Sequence, residues 1–280
     1  MKIVKYEDIV LKVKLACLQM TTDLPQDVQN KLEMMAMQED GQLAKQMLDI
    51  IIENANIARQ ENRPMCQDTG MVVCFVKMGQ NIQIEGGLLA DAINEGVSLG
   101  YEEGYLRKSV VNNPIDRINT LDNTPAIIHY DIVEDDVLII EVAAKGFGSE
   151  NMSQLKMFPP AAGIAGMKEF VKQVVIDAGP NPCPPIIVGI GLGGDFEKAA
   201  LLAKKAAIRN LDEVNPNEKL LALEKELEVE INNLGIGPQG FGGKTTTLKV
   251  NIEMFATHIA GLPVAVNINC HAARHIKVVL

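Results

Sequence analysis

The sequence predicts a mixed α/β fold of the α+β kind, with a helical N-terminal part followed by mixed strands and helices. Three observations support this prediction. Apolar side chains recur at helical spacing through most of the first sixty residues. Compact apolar runs, which are typical of buried strands, begin at residue 71 and return further along the chain. A glycine pattern that resembles a dinucleotide fingerprint lacks the strand that should follow it, so we do not expect a Rossmann fold.

Length and composition predict one large globular domain over residues 1–280, with a helical part at about 1–62 and a mixed part at about 63–280. The 280 residues are 47% hydrophobic and 22% charged, which is ordinary for a globular protein. The net charge of −10 argues against nucleic acid or an anionic membrane as the main partner. No apolar run approaches the roughly 20 residues needed to cross a bilayer, and no signal-peptide core is visible. We therefore expect a cytoplasmic protein.

The first half of the chain is predicted to contain three helices, a buried strand, a fourth helix and a hairpin. The helices cover residues 6–21, 25–39, 41–60 and 87–104, and the strand covers residues 71–78. Cys17 lies on an apolar helix face and Cys74 lies inside the strand, so both are interpreted as core residues. Two apolar runs, 126–133 and 137–144, are joined by three acidic residues, which predicts a β-hairpin leading into a polar, glycine-bearing loop at 145–151.

The second half is predicted to alternate helices and strands. Four prolines surround Cys183 between a helix at 161–178 and a short strand at 186–190. Because proline fixes φ, this cysteine is expected on a stiff, irregular segment. Further helices are predicted at 196–209 and 217–233, and further strands at 248–255 and 262–268.

Two glycine-rich stretches resemble nucleotide-binding motifs. Residues from Gly189 to Gly194 match G-x-G-x-x-G, but no second strand with an acidic end follows about 20 residues later. The stretch from Gly237 to Thr245 resembles a P-loop, but Pro238 occupies the position of its first glycine and a strand follows instead of a helix. A nucleotide-binding protein using Gly189 to Gly194 is retained as a remote alternative.

Three of the five cysteines share a setting that suggests chemistry. Cys66, Cys183 and Cys270 each lie at the edge of a strand-like run among Gly, Pro or polar residues. Because they are far apart in the chain, spacing leaves three unrelated cysteines and a shared site both open. Three thiolates would be one ligand short of a closed zinc site or a fully ligated iron–sulfur cluster, as a catalytic metal requires. A structural zinc-binding interaction module is the other metal interpretation.

Several charged or titratable residues are further candidates. Arg107 begins a polar loop and is either an anion clamp or part of a solvated basic turn. His271 and His275 would share a face if their segment were helical, although the segment is better interpreted as extended. His258 is either a buried, hydrogen-bonded imidazole or part of a proton-handling site.

The chain resembles class I, iron–sulfur-dependent fumarases and the closely related tartrate dehydratase α subunits. Four motifs carry the resemblance, in order and over nearly the whole chain: Arg-Pro-Met-Cys66-Gln-Asp-Thr-Gly, Lys-Gly-Phe-Gly148-Ser-Glu-Asn, Asn-Pro-Cys183-Pro-Pro and Leu-Pro-Val-Ala-Val-Asn-Ile-Asn-Cys270-His.

The resemblance implies a set of site residues. It implies a 4Fe–4S cluster ligated by Cys66, Cys183 and Cys270, with the fourth iron open to substrate. Positions that match residues of the family's substrate pocket and active site are Gln67, Asp68, Arg107, Gly148 and His258. Of these, Asp68 and His258 are the candidate catalytic residues, and Arg107 matches an arginine that clamps a substrate carboxylate.

The resemblance also implies a partner. Single-chain members continue into a C-terminal domain that supplies the catalytic threonine base, whereas this sequence stops at Leu280. The expected protein is therefore the α subunit of a hydro-lyase that interconverts malate and fumarate, completed by a β subunit in an α2β2 assembly. A tartrate or methylfumarate-type dehydratase α subunit is the alternative.

Overall fold

Eight α-helices and ten β-strands form within residues 2–280, the part of the chain that the computed structural model describes. Two 3-10 turns, at 160–162 and 238–240, complete the regular structure. The mixed α/β prediction is confirmed. The helices are α1 (Tyr6–Thr22), α2 (Gln26–Gln38), α3 (Gln42–Glu61), α4 (Leu89–Glu103), α5 (Phe147–Glu150), α6 (Gly163–Ala178), α7 (Phe196–Ala207) and α8 (Glu218–Asn232). The strands are β1 (Lys2–Lys5), β2 (Met71–Gly79), β3 (Ile82–Glu85), β4 (Ile127–Val133), β5 (Leu138–Lys145), β6 (Gln154–Phe158), β7 (Ile186–Gly194), β8 (Thr247–Thr257), β9 (Leu262–Asn269) and β10 (His275–Val279).

The residues group into two compact units made from interleaved stretches of chain. Unit 1 comprises the described part of Met1–Pro25 together with Ala55–Phe147 and Arg274–Leu280. Unit 2 comprises Gln26–Asn54 and Gly148–Ala273. The helical N-terminal part is present as α1 to α3, and its helices are divided between the units. The expectation of one domain over 1–280 stays a prediction.

In unit 1, α1 and α4 pack closely together beside a four-stranded sheet. The buried stripe of α1 carries Ile9, Val13, Cys17 and Met20 at the predicted helical spacing. Gly96 of α4 allows this approach, because a Cβ there would lie 2.7 Å from the Cβ of Val13. The sheet has the order β10-β5-β2-β4, and β1 pairs with β3 in a separate parallel ribbon.

The predicted hairpin of the two apolar runs is wrong in its pairing, although both strands exist. β2 lies between β4 and β5, parallel to the first and antiparallel to the second. The end of β2 lies next to the turn at 134–136 that joins β4 to β5. There the Gly79 N–H donates to the Val137 carbonyl oxygen (3.0 Å), and the Gln80 N–H donates to the Val133 carbonyl oxygen (2.9 Å). Gly79 permits this insertion, because a Cβ at that position would overlap the Asp135 carbonyl group. The strongly apolar β2 therefore takes the central place in the sheet.

Unit 2 is built on a four-stranded sheet with the order β6-β9-β7-β8. Helix α7 covers one face, where Ala199 and Ala203 pack against Ala265 of β9. Side chains of α6 and α8, including Val171, Leu227 and Ile231, join the inner residues of β7, β8 and β9 in a second buried cluster. β7 pairs parallel with β8 and antiparallel with β9, which is not a Rossmann arrangement.

The glycine run from Gly189 to Gly194 lies within β7 instead of forming a loop after it. A Cβ at Gly189 or Gly191 would overlap backbone carbonyl groups of α7, so these glycines allow helix and strand to pack closely. The chain passes from α7 to α8 without an intervening strand. This packing role accounts for the glycines without a nucleotide.

No helix in residues 2–280 has the length and hydropathy that a membrane span requires.

Candidate functional site

The loop of residues 63–70, here called the first cysteine loop, connects α3 to β2 in unit 1 and carries Cys66. Its C-terminal end is held by Tyr101, whose hydroxyl donates to the carbonyl oxygens of Thr69 (2.7 Å) and Gly70 (3.1 Å). Tyr101 is fully buried, and burial raises the pKa of its hydroxyl, so it stays protonated as the donor. Gly70 has φ +81°, and a Cβ there would lie 2.8 Å from the Lys145 backbone nitrogen. Cys66 itself is half-buried.

Asp68 organises the same loop through both carboxylate oxygens. Oδ1 accepts the Gly70 N–H at 3.0 Å, and Oδ2 accepts the Phe147 N–H at 2.9 Å. The Asp68 carbonyl oxygen accepts a bond from Nη1 of Arg274 at 2.7 Å. Arg274 is only 2% exposed, and within the described residues its Nε has no hydrogen-bond partner. A buried guanidinium and a carboxylate therefore fix the backbone that follows Gln67, whose side chain is exposed.

Arg107 lies beside the first cysteine loop because side-chain-to-backbone hydrogen bonds connect the two segments. The Thr69 hydroxyl donates to the Arg107 carbonyl oxygen at 3.0 Å. The buried Asn123 adds a second connection, since it accepts the Ser109 N–H (2.7 Å) and donates to the Gly70 carbonyl oxygen (3.2 Å). The Arg107 side chain is exposed, and in the described part of unit 1 its guanidinium forms no ion pair. The guanidinium is therefore available to an anion from solution.

The segment after Arg107 is an ordered loop with an apolar surface. Asn113 Oδ1 accepts the N–H groups of Ile115 (2.9 Å) and Asp116 (2.7 Å), and the Asn112 N–H donates to the Ile118 carbonyl oxygen (2.8 Å). Despite this order, large apolar side chains point to solvent: Ile115 is 88% exposed and Ile118 is 62% exposed. We call residues 110–121 the apolar loop.

Cys183 and Cys270 lie on two loops of unit 2 that are bonded to one another, here called the paired cysteine loops (residues 179–185 and 270–272). Cys183 is exposed and adopts a left-handed backbone conformation with φ 55°. Cys270 follows β9 and is half-buried, with its Sγ 3.7 Å from the Ala272 carbonyl oxygen. Nδ1 of His271 lies 2.9 Å from the Cys183 carbonyl oxygen. Two of the three predicted ligands are thus brought into one bonded group.

A third segment supports this group. Gln239, in the 3-10 turn at 238–240, donates to the Pro184 carbonyl oxygen twice, from its backbone nitrogen (2.7 Å) and from Nε2 (2.9 Å). Its Nε2 also lies 3.2 Å from Nδ1 of His271. The glycine-rich stretch that resembled a P-loop therefore packs against the Cys183 loop, and β8 follows it as the sequence predicts.

His258 is exposed at the turn between β8 and β9, where its Nδ1 accepts the Ala260 N–H at 3.2 Å. The interpretation of His258 as a buried imidazole is therefore wrong, because the end of β8 from Met254 onward extends into solvent. The segment from His271 to His275 is not helical and leads into β10, so the extended interpretation is confirmed.

Gly148 is exposed within the short helix α5, which replaces part of the polar loop predicted at 145–151. A Cβ at Gly148 would meet only the Asn181 carbonyl oxygen, at 3.4 Å. The space above this backbone is therefore open.

The five cysteines fall into two groups, and none is in a disulfide. Cys17 and Cys74 are fully buried, and burial raises the pKa of both thiols, that of Cys74 to about 12. Cys66, Cys183 and Cys270 are all at least partly accessible and lie in loops. Accessible thiols on hydrogen-bonded loops are donors that fit an iron–sulfur cluster, which takes thiolate ligands. Within the described residues of either unit taken by itself, no three His, Cys, Asp or Glu side chains form a metal-binding group.

Two cavities in unit 2 lie apart from these residues. One of about 540 Å³ is lined by residues of α2, α8 and early β8, among them Lys31, Lys225 and Lys249. The other, of about 550 Å³, is mostly apolar and includes Ile164 and Met254. Neither is lined by a residue predicted for the site.

The positioning side chains were missed by sequence reasoning. No motif in the sequence marks Arg274, Tyr101 or Asn123. Each is buried and hydrogen-bonded to backbone groups that only the fold brings close to it. His271 and Gln239 could have been suspected, because one follows a predicted ligand and the other lies in a glycine-rich loop.

The chain belongs to the fumarate hydratase family, whose model, described as Fumarate hydratase (Fumerase), matches residues 10–279. The family assignment makes it an enzyme of the hydro-lyase class. It is 44% identical over 257 residues to a Methanocaldococcus jannaschii protein named provisionally as L(+)-tartrate dehydratase subunit alpha, with 90% of each chain covered. It is 34% identical over 258 residues to the L(+)-tartrate dehydratase subunit alpha of Escherichia coli strain K12, covering 91% of this chain and 84% of that one.

Proposed function

We propose that this chain is the cluster-binding α subunit of a two-subunit hydro-lyase that acts on a four-carbon dicarboxylate. The observation that carries the proposal is the division of the cysteines: the three predicted ligands are accessible on loops and the other two are buried. The family assignment supports the reaction class, and the names of the relatives support the α-subunit role. A cytoplasmic location belongs to the same proposal, because an oxidising compartment would favour disulfide formation by exposed thiols.

Cys66, Cys183 and Cys270 would hold a 4Fe–4S cluster. Bound by three thiolates, such a cluster supplies Lewis acidity at its remaining iron, which makes hydroxide a better leaving group. The protein's part is to orient the loops that carry these thiols. The hydrogen bonds around Thr69, Asp68 and His271 support that role.

Arg107 would bind a substrate carboxylate. Its guanidinium is exposed, and its backbone is fixed to the first cysteine loop. A planar guanidinium can donate two parallel hydrogen bonds to a carboxylate, which fixes orientation as well as charge. The exposed amide of Gln67 and the open backbone at Gly148 would add contacts to the same substrate. Asp68 would act chiefly by organising the loop, since both of its carboxylate oxygens accept backbone N–H groups.

The proton on carbon would be removed by a residue of a separate β subunit. Dehydration requires a base near the C–H bond, and the accessible residues around Arg107 include no obvious one. His258, exposed at its turn, stays a candidate for proton handling, and its exposure supports a role toward a neighbouring chain. The apolar loop, which exposes Ile115 and Ile118 close in sequence to Arg107, supports a protein partner on this side of unit 1. An α2β2 assembly is the stoichiometry we propose.

Three substrate pairs fit the proposal. Malate and fumarate are favoured by the family description, and tartrate by the names of the relatives. A methylfumarate-type substrate would use the same residues. The hydrated member of each pair carries two carboxylates and the hydroxyl that leaves, so the Arg107 contact does not discriminate between them.

Co-expression with a β subunit, followed by anaerobic purification and assay, tests the proposal. We expect a brown complex that contains iron and sulfide and dehydrates malate or L(+)-tartrate. Cys66→Ser, Cys183→Ser and Cys270→Ser should each lose the intact cluster, and Cys74→Ser should keep it. Colourless protein with stoichiometric zinc would instead favour a structural zinc module, and tight NAD binding would favour the nucleotide alternative.

A further inference from the structure

Three separate segments of unit 2 meet around the backbone of Cys183. They are residues 179–185 after α6, the 3-10 turn that carries Gln239, and residues 270–272 after β9. Gln239 and Cys183 both adopt left-handed backbone conformations, with φ 53° and φ 55°. Such conformations are strained for a non-glycine residue, so the surrounding contacts must hold them. The two bonds from Gln239 to Pro184 and the contact from His271 to Cys183 are those contacts.

The neighbours of His271 determine the direction of its hydrogen bond. The Cys183 carbonyl oxygen can only accept, so Nδ1 of His271 must carry the proton and donate at 2.9 Å. A protonated Nδ1 has no free lone pair and cannot accept from Nε2 of Gln239, so their 3.2 Å approach is a packing contact. Because His271 follows Cys270 directly, this one bond joins the backbone of one predicted ligand to the residue beside another.

We propose that His271 is a positioning residue, supported by Gln239, that holds the Cys183 and Cys270 loops in a fixed arrangement before any metal binds. The inference rests on the proposed function, because it gives the two thiols a common task. Groups that orient metal ligands typically change metal affinity by about 10–100-fold when they are removed. A thiol pair that is ordered in advance loses less conformational freedom on binding.

The test uses Cd²⁺, a thiophilic probe that reports on the thiol pair without an iron–sulfur cluster. In the full chain carrying Cys66→Ser, Cd²⁺ binding to Cys183 and Cys270 is followed by the thiolate-to-metal charge-transfer absorption. Adding Cys270→Ser identifies the signal that belongs to the pair. Three further variants are compared in the Cys66→Ser background: His271→Leu, His271→Asn and Gln239→Leu.

We expect His271→Leu to weaken Cd²⁺ binding roughly 10–100-fold. His271→Asn should bind close to the level of the parent, because its side-chain amide can replace the Nδ1–H donor. Gln239→Leu should have a smaller effect than His271→Leu. If His271→Leu does not fold, His271→Ala takes its place, and thermal unfolding of the metal-free variants is compared alongside.

Equal affinity in the Leu and parent proteins would overturn the inference, and so would equal weakening by Leu and Asn, which would indicate packing and not the donor. Failure of the proposed function gives a different result. In that case the unmodified chain takes up no iron and sulfide on anaerobic reconstitution, whatever the Cd²⁺ series shows.

Discussion

The hydroxyl of Thr69 donates a 3.0 Å hydrogen bond to the carbonyl oxygen of Arg107, 38 residues later in the chain. This bond joins the loop that carries Cys66 to the residue proposed to bind substrate. Because the bond is made to the backbone of Arg107, it fixes the position of the Arg107 main chain and leaves all the guanidinium N–H donors free for other partners. Thr69 is 1% exposed, so water cannot readily replace the bond.

Replacing Thr69 by Val should therefore impair substrate binding while the cluster stays intact. The change keeps the shape of the side chain and removes about 1 kcal/mol of hydrogen bonding, roughly a fivefold effect. We expect it as a rise in KM of the reconstituted complex with unchanged iron content. Thr69→Ser, which keeps the hydroxyl, should restore the KM. A fall in iron equal to the loss of activity would contradict this assignment.

Arg107→Ala should reduce kcat/KM for dicarboxylates roughly thirtyfold. This corresponds to the loss of about 2 kcal/mol of binding free energy when a charge-assisted contact to a carboxylate is removed. Lys108→Ala removes a neighbouring cation and serves as the matched control. Steady-state kinetics and iron analysis of both complexes provide the measurement. The clamp assignment is wrong if the two variants behave alike.

The metal-free chain should present three reactive thiols when folded and five when unfolded. Burial raises the pKa of Cys74 to about 12, so at pH 8 this thiol stays protonated and unreactive. Cys17 is protected in the same way, since burial raises its pKa as well. Titration with a chromophoric disulfide reagent, followed by mass spectrometry of labelled peptides, would identify the reactive residues. Rapid labelling of Cys74 in the folded chain would refute the division.

Replacing Ile115 and Ile118 together by Ser should weaken association with the β subunit. A minority of interface residues dominate affinity, and loss of one such contact at about 1.4 kcal/mol corresponds to the roughly tenfold loss of affinity that we expect. Ile132→Ser is the control, because this residue is 66% exposed on the edge strand β4 of the same unit. Affinity measured by surface plasmon resonance should be unchanged in the control. Equal affinities for all variants would place the interface elsewhere.

Gly79→Ala should lower the stability of the metal-free chain by about 1–3 kcal/mol, because the added methyl group overlaps the Asp135 carbonyl. Thermal unfolding should shift by roughly 2–4 °C for each kcal/mol. Gly261→Ala is the matched control, since the nearest atoms to its added Cβ lie 4.0 Å away. Similar melting temperatures for both variants would argue against the insertion of β2.

Local pattern predicted most of the elements and the sorting of the cysteines. The helical stripe through Ile9, Val13 and Met20 and the apolar run of β2 are strong local signals. The flanking Gly, Pro and polar residues separated the accessible cysteines from Cys17 and Cys74, because loops and apolar faces differ in composition.

Non-local pairing was not predictable. The sequence from 126 to 144 predicts a hairpin, yet in the structure β2 lies between β4 and β5 and is hydrogen-bonded to both. The sequence left a buried imidazole and a proton-handling site both open for His258, and the turn it occupies is exposed. Arg274 gave no signal, since its role depends on a carbonyl group 206 residues away.

That separation of 206 residues between Arg274 and Asp68 has a consequence for biosynthesis. At translation rates of roughly 5–20 residues per second, about 10–40 s pass between the synthesis of Asp68 and the synthesis of Arg274, whose guanidinium binds its carbonyl oxygen. Strand β10, which borders the sheet of unit 1, emerges just as late. The loop bearing Cys66 therefore acquires its final geometry only after the segment that carries Arg274 has been made.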